Sequence, residues 1–261
     1  MVAVSFSGGL DSSLLVACAK RKAKVVACAA AVEGAPDVVK AEKAAARLGV
    51  ELVTTRLTEG TIRRELEDMR LPFEPTAMDA SLWTLYSAVA RSASERGAKV
   101  MLLGQLADEL FGGYAKYRTA LKEGGAAMAE EAMRADVDGY PARGRIRDVG
   151  ACSRWLQPKF PFEAKEVVDL GMAFPLSFKI SGTTTKLVLR RAAILLGVPE
   201  ELTETPKKAA QYSSGIQKVV LGTTLFNGRK SKADHDSIAA AEGEAGGFQA
   251  TSGEVQLLRP G

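Results

Sequence analysis

The chain has 261 residues, which allows one large domain or a main domain with an appendage. Hydrophobic residues make up 46% of it and charged residues 25%, as in soluble globular proteins, and no apolar run approaches the ~20 residues that cross a membrane. The net charge of +4 is too small to favour nucleic-acid binding, and the three scattered cysteines form no CxxC pair that would indicate a zinc site. We therefore expect a cytoplasmic protein whose partners include neither a membrane nor a nucleic acid.

The first part of the chain alternates apolar runs with segments of helical periodicity. Such alternation implies right-handed crossovers and a parallel sheet covered by helices on both faces. We predict an α/β fold for residues 1–115, with a doubly wound, Rossmann-like parallel sheet of about five strands. The pattern predicts strands at 2–6, 24–32, 50–57 and 98–103 and helices at 11–22, 37–48, 61–69 and 77–97.

The later part of the chain is predominantly helical, with predicted helices at 116–137, 163–173 and 183–197. We predict that residues 116–226 form a helical C-terminal lobe that closes over the sheet. Residues 227–261 are rich in Gly, Ala, Ser and charged residues, which predicts a flexible tail.

Two loops of unusual composition follow predicted strands, Ser7–Ser13 after the first and Gly104–Tyr114 after the fourth. In open parallel sheets, ligands bind beyond the carboxyl ends of the strands. We therefore expect the functional site where these two loops meet.

The loop Ser7-Gly8-Gly9-Leu10-Asp11-Ser12-Ser13 is suited to binding an anion. Glycines lack Cβ atoms, so backbone N–H groups can face phosphate oxygens at the N-terminus of the next helix. The hydroxyl groups of Ser7, Ser12 and Ser13 are further donors. The Asp11 carboxylate would repel phosphates unless Mg²⁺ bridges them, so we predict bound ATP and Mg²⁺. The alternative is an ordinary strand-to-helix turn with serine caps.

The same loop resembles the PP-loop of the ATP pyrophosphatases, which split ATP between its α- and β-phosphates and leave an adenylated substrate. It lacks the lysine of the GxxxxGK[ST] loop of kinases. The second loop resembles the SG(D/E)G(A/S)DExFGGY signature of the asparagine synthetase synthase domain, and it reads Leu103-Gly104-Gln105-Leu106-Ala107-Asp108-Glu109-Leu110-Phe111-Gly112-Gly113-Tyr114. The resemblance implies that Asp108 is a second magnesium carboxylate, facing Asp11 across the pyrophosphate. A surface helix start with a glycine stop is the alternative.

Further segments extend this resemblance over roughly residues 1–220. Gly34-Ala35-Pro36-Asp37 resembles the family's GSPD turn, which implies that the strand backbone at Ala30 contacts adenine. Lys186, with Leu189-Arg190, resembles the family's KxxLR helix.

The segment Pro206-Lys207-Lys208 resembles the one that carries the family's phosphate-binding lysine. Such a lysine stabilises the charge that develops on the α-phosphate and the departing pyrophosphate. Lys208 fits this role best, and Lys207 stays an alternative. Arg147-Asp148 and Pro161-Phe162 resemble the family's RD…RxPFLD stretch.

The resemblance implies three sets of site residues. The catalytic set is Lys208, Asp108, Gln105 and Glu109, and the metal ligands are Asp11 and Asp108. The set that binds ATP and pyrophosphate is Ser5, Phe6, Ser7, Gly8, Gly9, Leu10, Asp11, Ser12, Ser13, Ala30, Leu103, Gly104, Tyr114, Lys186 and Lys207.

The sequence departs from the family pattern on the side of the acceptor chemistry. Gln105 stands where the family has an acid that is thought to help handle the nitrogen nucleophile, and Leu106 replaces the following glycine. Glutamine forms hydrogen bonds but is no base at neutral pH. Ala164 stands in place of the FLD aspartate. Since the chain begins at the first strand, we expect nitrogen from free ammonia, from an amine or from a partner amidotransferase subunit, and a homodimer is compatible with the sequence.

Three hypotheses of function follow. The first is an asparagine-synthetase-like amide ligase that adenylates aspartate or another small carboxylate for attack by ammonia or an amine. The second is a sulfur-transferring or tRNA-modifying enzyme, with Cys152 as its nucleophile and the arginines of 143–147 holding RNA phosphates. The third is a regulator that binds ATP without catalysis, motivated by Gln105 and Ala164.

Overall fold

The computed structural model describes residues 1–204, 214–223 and 226. Within them, a five-stranded parallel sheet has the order β3-β2-β1-β4-β5. This confirms the predicted α/β fold with a parallel sheet. The strands are β1 (Val2–Ser5), β2 (Val25–Val32), β3 (Glu51–Leu57), β4 (Val100–Leu102) and β5 (Gln157–Lys159).

The central strand β1 carries core residues on both faces of the sheet. Val2 is in register with Val25 of β2 and Val100 of β4. Successive side chains of a strand point to opposite faces, so Ala3 joins one buried apolar cluster and Val4 the other. Such double burial explains why the inner strands read as continuous apolar runs rather than as alternating ones.

Helices cover both faces of this sheet. Residues of α1 (Leu10–Lys20) and α2 (Pro36–Leu48) pack in the cluster that contains Val4. The opposite cluster contains residues of α3 (Glu59–Glu67) and α4 (Ala77–Glu95). The later helices are α5 (Ala107–Phe111), α6 (Ala115–Ser153), α7 (Lys165–Ala173), α8 (Leu187–Leu195), α9 (Glu200–Thr203) and α10 (Ile216–Leu221).

The C-terminal part differs from its predicted elements in three places. The helix predicted at 116–137 continues to Ser153, with a break at Gly125, whose φ is 75°. The helix predicted at 183–197 begins only at Leu187, because Thr184–Thr185 pairs as a strand with Ile180–Ser181. The short strand β5 was not predicted, and it adds a segment of the later part of the chain to the edge of the sheet.

The predicted division at residue 115 stays a prediction, and the predicted tail at 227–261 lies outside the described residues. In the described part of the chain, no helix is both long and apolar enough to cross a membrane.

Candidate active site

The glycine-rich loop joins β1 to α1 and has a backbone that only glycine adopts easily. Gly8 has a φ of 67°, and a Cβ at this position would lie 2.9 Å from the carbonyl oxygen of Lys40. The Ser12 hydroxyl donates to the Gly9 carbonyl oxygen at 3.2 Å and accepts from the Ser7 N–H at 3.4 Å. The loop is therefore held by hydrogen bonds between its own residues, and it leads directly into the first N–H groups of α1.

Two carboxylates from distant parts of the chain surround one ammonium group at this loop. The Lys186 Nζ lies 2.7 and 2.6 Å from the two oxygens of Asp11 and 2.7 Å from Asp108 Oδ1. Asp11 lies in the first turn of α1 and Asp108 in the first turn of α5. The predicted pair of acids therefore does converge on a single cation position.

Lys186 is buried, with only 4% of its surface exposed. Burial lowers the pKa of the Lys186 ammonium, but the charges of Asp108 and Asp11 raise it by more, so the net pKa lies above its usual value. The ammonium therefore remains charged at neutral pH and balances part of the carboxylate charge.

Small residues and unusual backbone angles make this convergence sterically feasible. A Cβ at Gly104 would lie 3.3 Å from the Asp11 Cβ, and one at Gly113 would overlap the Asp108 carboxylate. Leu106 and Lys186 are the non-glycine residues of the described chain with positive φ, at 73° and 56°. Lys186 lies within the site and Leu106 lies next to it, and strained residues often cluster at functional sites in this way.

The two carboxylates fit a magnesium ion that also binds a nucleotide. Mg²⁺ in nucleotide sites takes one or two carboxylates and completes its coordination with phosphate oxygens and water. Among the described residues there is no group of three or more His, Cys, Asp or Glu side chains that would hold a metal by itself. Asp11 and Asp108 thus supply the number of carboxylates that a nucleotide-bound Mg²⁺ takes.

Gln105 lies beside the site and is held by a buried ionic network. Its Nε2 donates to Oδ2 of Asp148, which also accepts from the Tyr140 hydroxyl at 3.3 Å. The other Asp148 oxygen accepts from the Arg147 Nε at 2.8 Å, and Arg147 also pairs with Asp79 at 3.1 Å. The amide at the position of the family acid is therefore tied to an aspartate that the protein buries completely.

Glu109 and Tyr114 face each other across the turn that follows α5. The Tyr114 hydroxyl donates to Glu109 Oε1 at 2.8 Å. Burial and the charges of Asp108 and Glu109 raise the pKa of Tyr114 well above its usual value, so the phenol stays protonated. The predicted roles of both residues in catalysis and nucleotide binding stay predictions.

Several predicted nucleotide-binding residues have buried side chains. Phe6, Leu10 and Leu103 belong to the two core clusters, so that only their backbone is available to a ligand. Ser13 and Ala30 are also buried. The Ser5 position is paired with Cys28 of the neighbouring strand.

The predicted phosphate lysines Lys207 and Lys208 lie outside the described residues. The described chain resumes at Ser214, whose carbonyl oxygen accepts from the N–H of Val32 at 3.0 Å, at the carboxyl end of β2.

Arg190 supports the site and was absent from the predicted set. Its Nε donates to the Thr185 carbonyl oxygen at 2.7 Å and another guanidinium nitrogen donates to that of Thr203. Burial lowers the pKa of Arg190, while Asp11 and Glu204 act in the opposite direction. Arg190 thus holds the backbone of Thr185, the residue before Lys186. The sequence signal for Arg190 was its position in the KxxLR pattern.

Comparison with known families agrees with this geometry. The family model described as asparagine synthase matches residues 1–159 and 148–234. The chain belongs to the asparagine synthase family. It is therefore a member of a family of ATP-dependent ligases.

Named relatives of the asparagine synthase family are similar over part of their length. A putative glutamine-hydrolyzing asparagine synthetase of Methanocaldococcus jannaschii is 27% identical over 256 residues, covering 84% of this chain and 47% of the relative. Asparagine synthetase 1 of Bacillus subtilis is 35% identical over 118 residues, covering 44% and 18%. The mouse asparagine synthetase domain-containing protein 1 is 30% identical over 145 residues, covering 52% and 22%. The chain thus spans less than half the length of these relatives.

Two solved structures show a distant likeness. One, described as a predicted subunit of a tRNA methyltransferase from Methanocaldococcus jannaschii, has a TM-score of 0.34 and 17% identity, covering 78% of this chain and 92% of that one. The other, a U34-tRNA thiolase from Methanococcus maripaludis, has a TM-score of 0.38 and 12% identity, covering 95% and 72%. At these identities the likeness concerns the fold alone.

Proposed function

We propose that the protein cleaves ATP between the α- and β-phosphates and uses it to adenylate a small carboxylate, with aspartate as the first candidate, for attack by ammonia or an amine. The observation that carries this proposal is the convergence of Asp11 and Asp108 on one cation position at the mouth of the glycine-rich loop. A turn that served only to join a strand to a helix would not require a second carboxylate to approach it from α5.

Each part of the site has a role in this proposal. The backbone N–H groups at the start of α1 and the positive end of that helix bind phosphate oxygens. Asp11 and Asp108 hold Mg²⁺, which when bound neutralises the charge of the departing pyrophosphate. The Lys186 ammonium adds a positive charge that is already in place before the reaction. Lys208 is proposed to contact the α-phosphate.

The acceptor half of the reaction is where this protein differs from the family pattern. Gln105 donates its amide N–H to Asp148, so it is oriented and uncharged. It can position a nucleophile through its carbonyl oxygen but cannot remove a proton from one. We therefore propose that the nucleophile arrives already deprotonated, as ammonia or a free amine, either from solution or from an amidotransferase partner.

The structure gives little support to sulfur transfer. The Cys152 side chain is fully buried, and burial raises the pKa of its thiol well above the usual value, whereas a nucleophilic cysteine has a lowered pKa. Arg143 and Arg147 pair with Asp79, and Arg145 pairs with Glu163. The arginines proposed to hold RNA therefore already have carboxylate partners. The free thiols of all three cysteines fit the cytoplasmic location that we propose.

The test is a pyrophosphate-exchange screen with ATP, Mg²⁺ and a panel of amino acids and small carboxylates. We expect exchange that depends on one carboxylate, and a loss of at least about 100-fold in Asp108→Asn, because a magnesium ligand and its charge are removed. Asp169→Asn is the matched control, since this exposed carboxylate pairs with Lys165 on α7, away from the two acids of the site. Its exchange rate should equal that of the wild type.

Two outcomes would contradict parts of this proposal. Tight ATP binding without exchange on any carboxylate would favour the regulator that binds ATP without catalysis. Exchange that survives Asp108→Asn unchanged would contradict the assignment of the metal site. If exchange occurs, product analysis with ammonium and then with amines identifies the nucleophile.

A further inference from the structure

A second cavity lies among the C-terminal helices, and neither Asp11 nor Asp108 lines it. Its volume is about 250 Å³, smaller than the sites that hold drug-sized ligands. The residues that matter for its chemistry come from α6, from the end of α7 and from the turn before the paired strands Ile180–Ser181 and Thr184–Thr185. They are Glu130, Met133, Arg134, Met172, Phe174 and Lys179.

Lys179 is an unusual residue to find in such a cavity, because only 3% of its surface is exposed. In the described part of the chain its ammonium takes part in none of the hydrogen bonds or ion pairs, although its backbone N–H and carbonyl are both bonded. Burial lowers the pKa of the Lys179 ammonium, Glu130 raises it in part, and Arg134 lowers it further, so that the net pKa is below its usual value. Glu130 acts on this ammonium only electrostatically, so an anionic ligand in the cavity would add a direct charge-assisted hydrogen bond.

We propose that this cavity binds the carboxylate group of a small monocarboxylate. Lys179 and Arg134 bring two positive charges to the cavity and Glu130 brings one negative charge, so the balance favours a monoanion. Met133 and Phe174 form the smaller, apolar part of an otherwise polar lining.

The cavity is connected to the nucleotide site through the backbone of Lys179. The Lys179 carbonyl oxygen accepts from the N–H of Leu187 at 3.1 Å, directly after Lys186. On the other side, a Cβ at Gly112 would lie 3.5 Å from the Lys179 Cβ, and Gly112 belongs to the turn that follows Asp108. A ligand bound at Lys179 would therefore lie next to both segments that carry charged groups to the site.

The test is a calorimetric titration of the full chain, in the absence of ATP, with a series of unbranched and branched monocarboxylates that includes 3-methylbutanoate. We expect saturable binding of at least one carboxylate, and binding at least tenfold weaker for the corresponding uncharged amide. Lys179→Met should weaken the carboxylate at least tenfold, because it keeps the length of the side chain and removes its charge. Because ATP is absent, the result does not depend on the proposed ligase activity.

Two further variants keep the test decisive. Lys165→Met is the control, since this lysine is exposed and pairs with Asp169 on the same helix, and it should bind like the wild type. Arg134→Gln removes a positive charge from an exposed residue at the rim of the cavity. It therefore measures the contribution of positive charge to carboxylate binding even if Lys179→Met fails to fold. Binding of the amide as tight as that of the acid, wild-type affinity in either Lys179→Met or Arg134→Gln, or no binding of any monocarboxylate would overturn the proposal.

Discussion

Gln105 owes its orientation to a residue that is 43 positions away in the sequence. Asp148 accepts hydrogen bonds from Gln105, Tyr140 and Arg147, and its charge is balanced by the buried Arg147 guanidinium. Hydrogen bonds to a charged acceptor are stronger than neutral ones. The amide at position 105 therefore stabilises the fold as well as lying at the candidate site.

The first prediction concerns Gln105→Glu, which restores the acid of the family pattern. A carboxylate at position 105 would lose the hydrogen bond to Asp148 and repel it, so we expect a loss of about 2 kcal/mol in the free energy of unfolding. Urea denaturation at pH 7 measures this. Asp148→Asn in the Gln105→Glu background should recover part of the loss, and simple additivity of the two changes would show that the residues do not interact.

Backbone strain at single residues also marks the site. Leu106 has a φ of 73° at the position where the family pattern has glycine. A left-handed conformation costs a non-glycine residue about 1–2 kcal/mol, and the Leu106 side chain offsets this by packing in the core beside Leu110. The sequence thus keeps the backbone shape of a glycine turn while using the side chain for burial.

At the scale of elements, the short helix α5 and the glycine turn behind it bring Asp108 to Lys186. The Gly113 N–H donates to the Asp108 carbonyl oxygen at 2.8 Å, and Gly112 adopts a φ of 74° against Ile180. Glycines at this turn leave space that the Asp108 carboxylate and the Lys186 side chain fill.

The second prediction uses this close approach. In Gly113→Ala the new methyl group would overlap the Asp108 carboxylate and lie 2.5 Å from the Lys186 Cε, so we expect a loss of about 1–3 kcal/mol and loss of exchange activity. Gly139→Ala is the control, because this glycine lies within α6 with nothing within 4 Å of a Cβ. A stabilisation of about 0.5–1 kcal/mol is expected there. Equal thermal stability of the two variants would contradict the description of the turn.

The sequence was informative about elements whose pattern is local. The predicted bounds of β2 and β3 differ from the observed ones by one residue each, because β2 is a continuous apolar run and β3 is rich in β-branched residues, which favour strands. β5 was missed because Gln157-Pro158-Lys159 has no apolar pattern and joins the sheet only by pairing with β4. Proline is tolerated there because the strand lies at the sheet edge.

The same distinction applies to the site. Asp11 and Asp108 were found from motifs at strand ends, where local sequence dictates the backbone. The hydrogen bond from Gln105 to Asp148 and the position of Lys186 between the two acids depend on segments far apart in the chain. No single segment encodes such contacts, so sequence reasoning did not foresee the contacts of Lys186 with the two carboxylates. Its assignment as a phosphate ligand stays a prediction.

At the scale of the whole molecule, Asp79 connects α4 to α6. It accepts from Thr76 at the N-terminus of α4 and pairs with Arg143 and Arg147 of α6, while its own side chain is fully buried. Burial raises the pKa of Asp79, but the hydrogen bonds from Arg143 and Thr76 and the charge of Arg147 lower it by more, so the net pKa is below its usual value.

The third prediction is the pH dependence that follows. A carboxyl group whose pKa is lower in the folded than in the unfolded state stabilises the fold above the unfolded pKa, near 3.8, and this contribution is lost as the pH falls. Urea denaturation between pH 7 and pH 3 should therefore show a steeper acid loss for the wild type than for Asp79→Asn. That variant should also lose about 3 kcal/mol at pH 7, because Arg147 is left buried with one partner fewer.

Asp68→Asn is the control for this experiment. Asp68 also pairs with an arginine, Arg154, but its side chain is half exposed, and exposed pairs contribute little. Identical pH profiles for the wild type and Asp79→Asn would show that Asp79 does not govern the acid response.

The contact between Asp11 and Lys186 has a consequence for when the site can form during synthesis of the chain. The two residues are 175 positions apart, so a chain emerging from the ribosome presents Asp11 long before its counter-ion has been synthesised. Bringing such distant positions together adds only about 0.6 kcal/mol of closure cost per doubling of the loop, yet it requires the intervening segments to be in place. The contacts of Lys186 with Asp11 and Asp108 can therefore form only late in synthesis, and an unfinished chain lacks the arrangement that we propose to bind ATP.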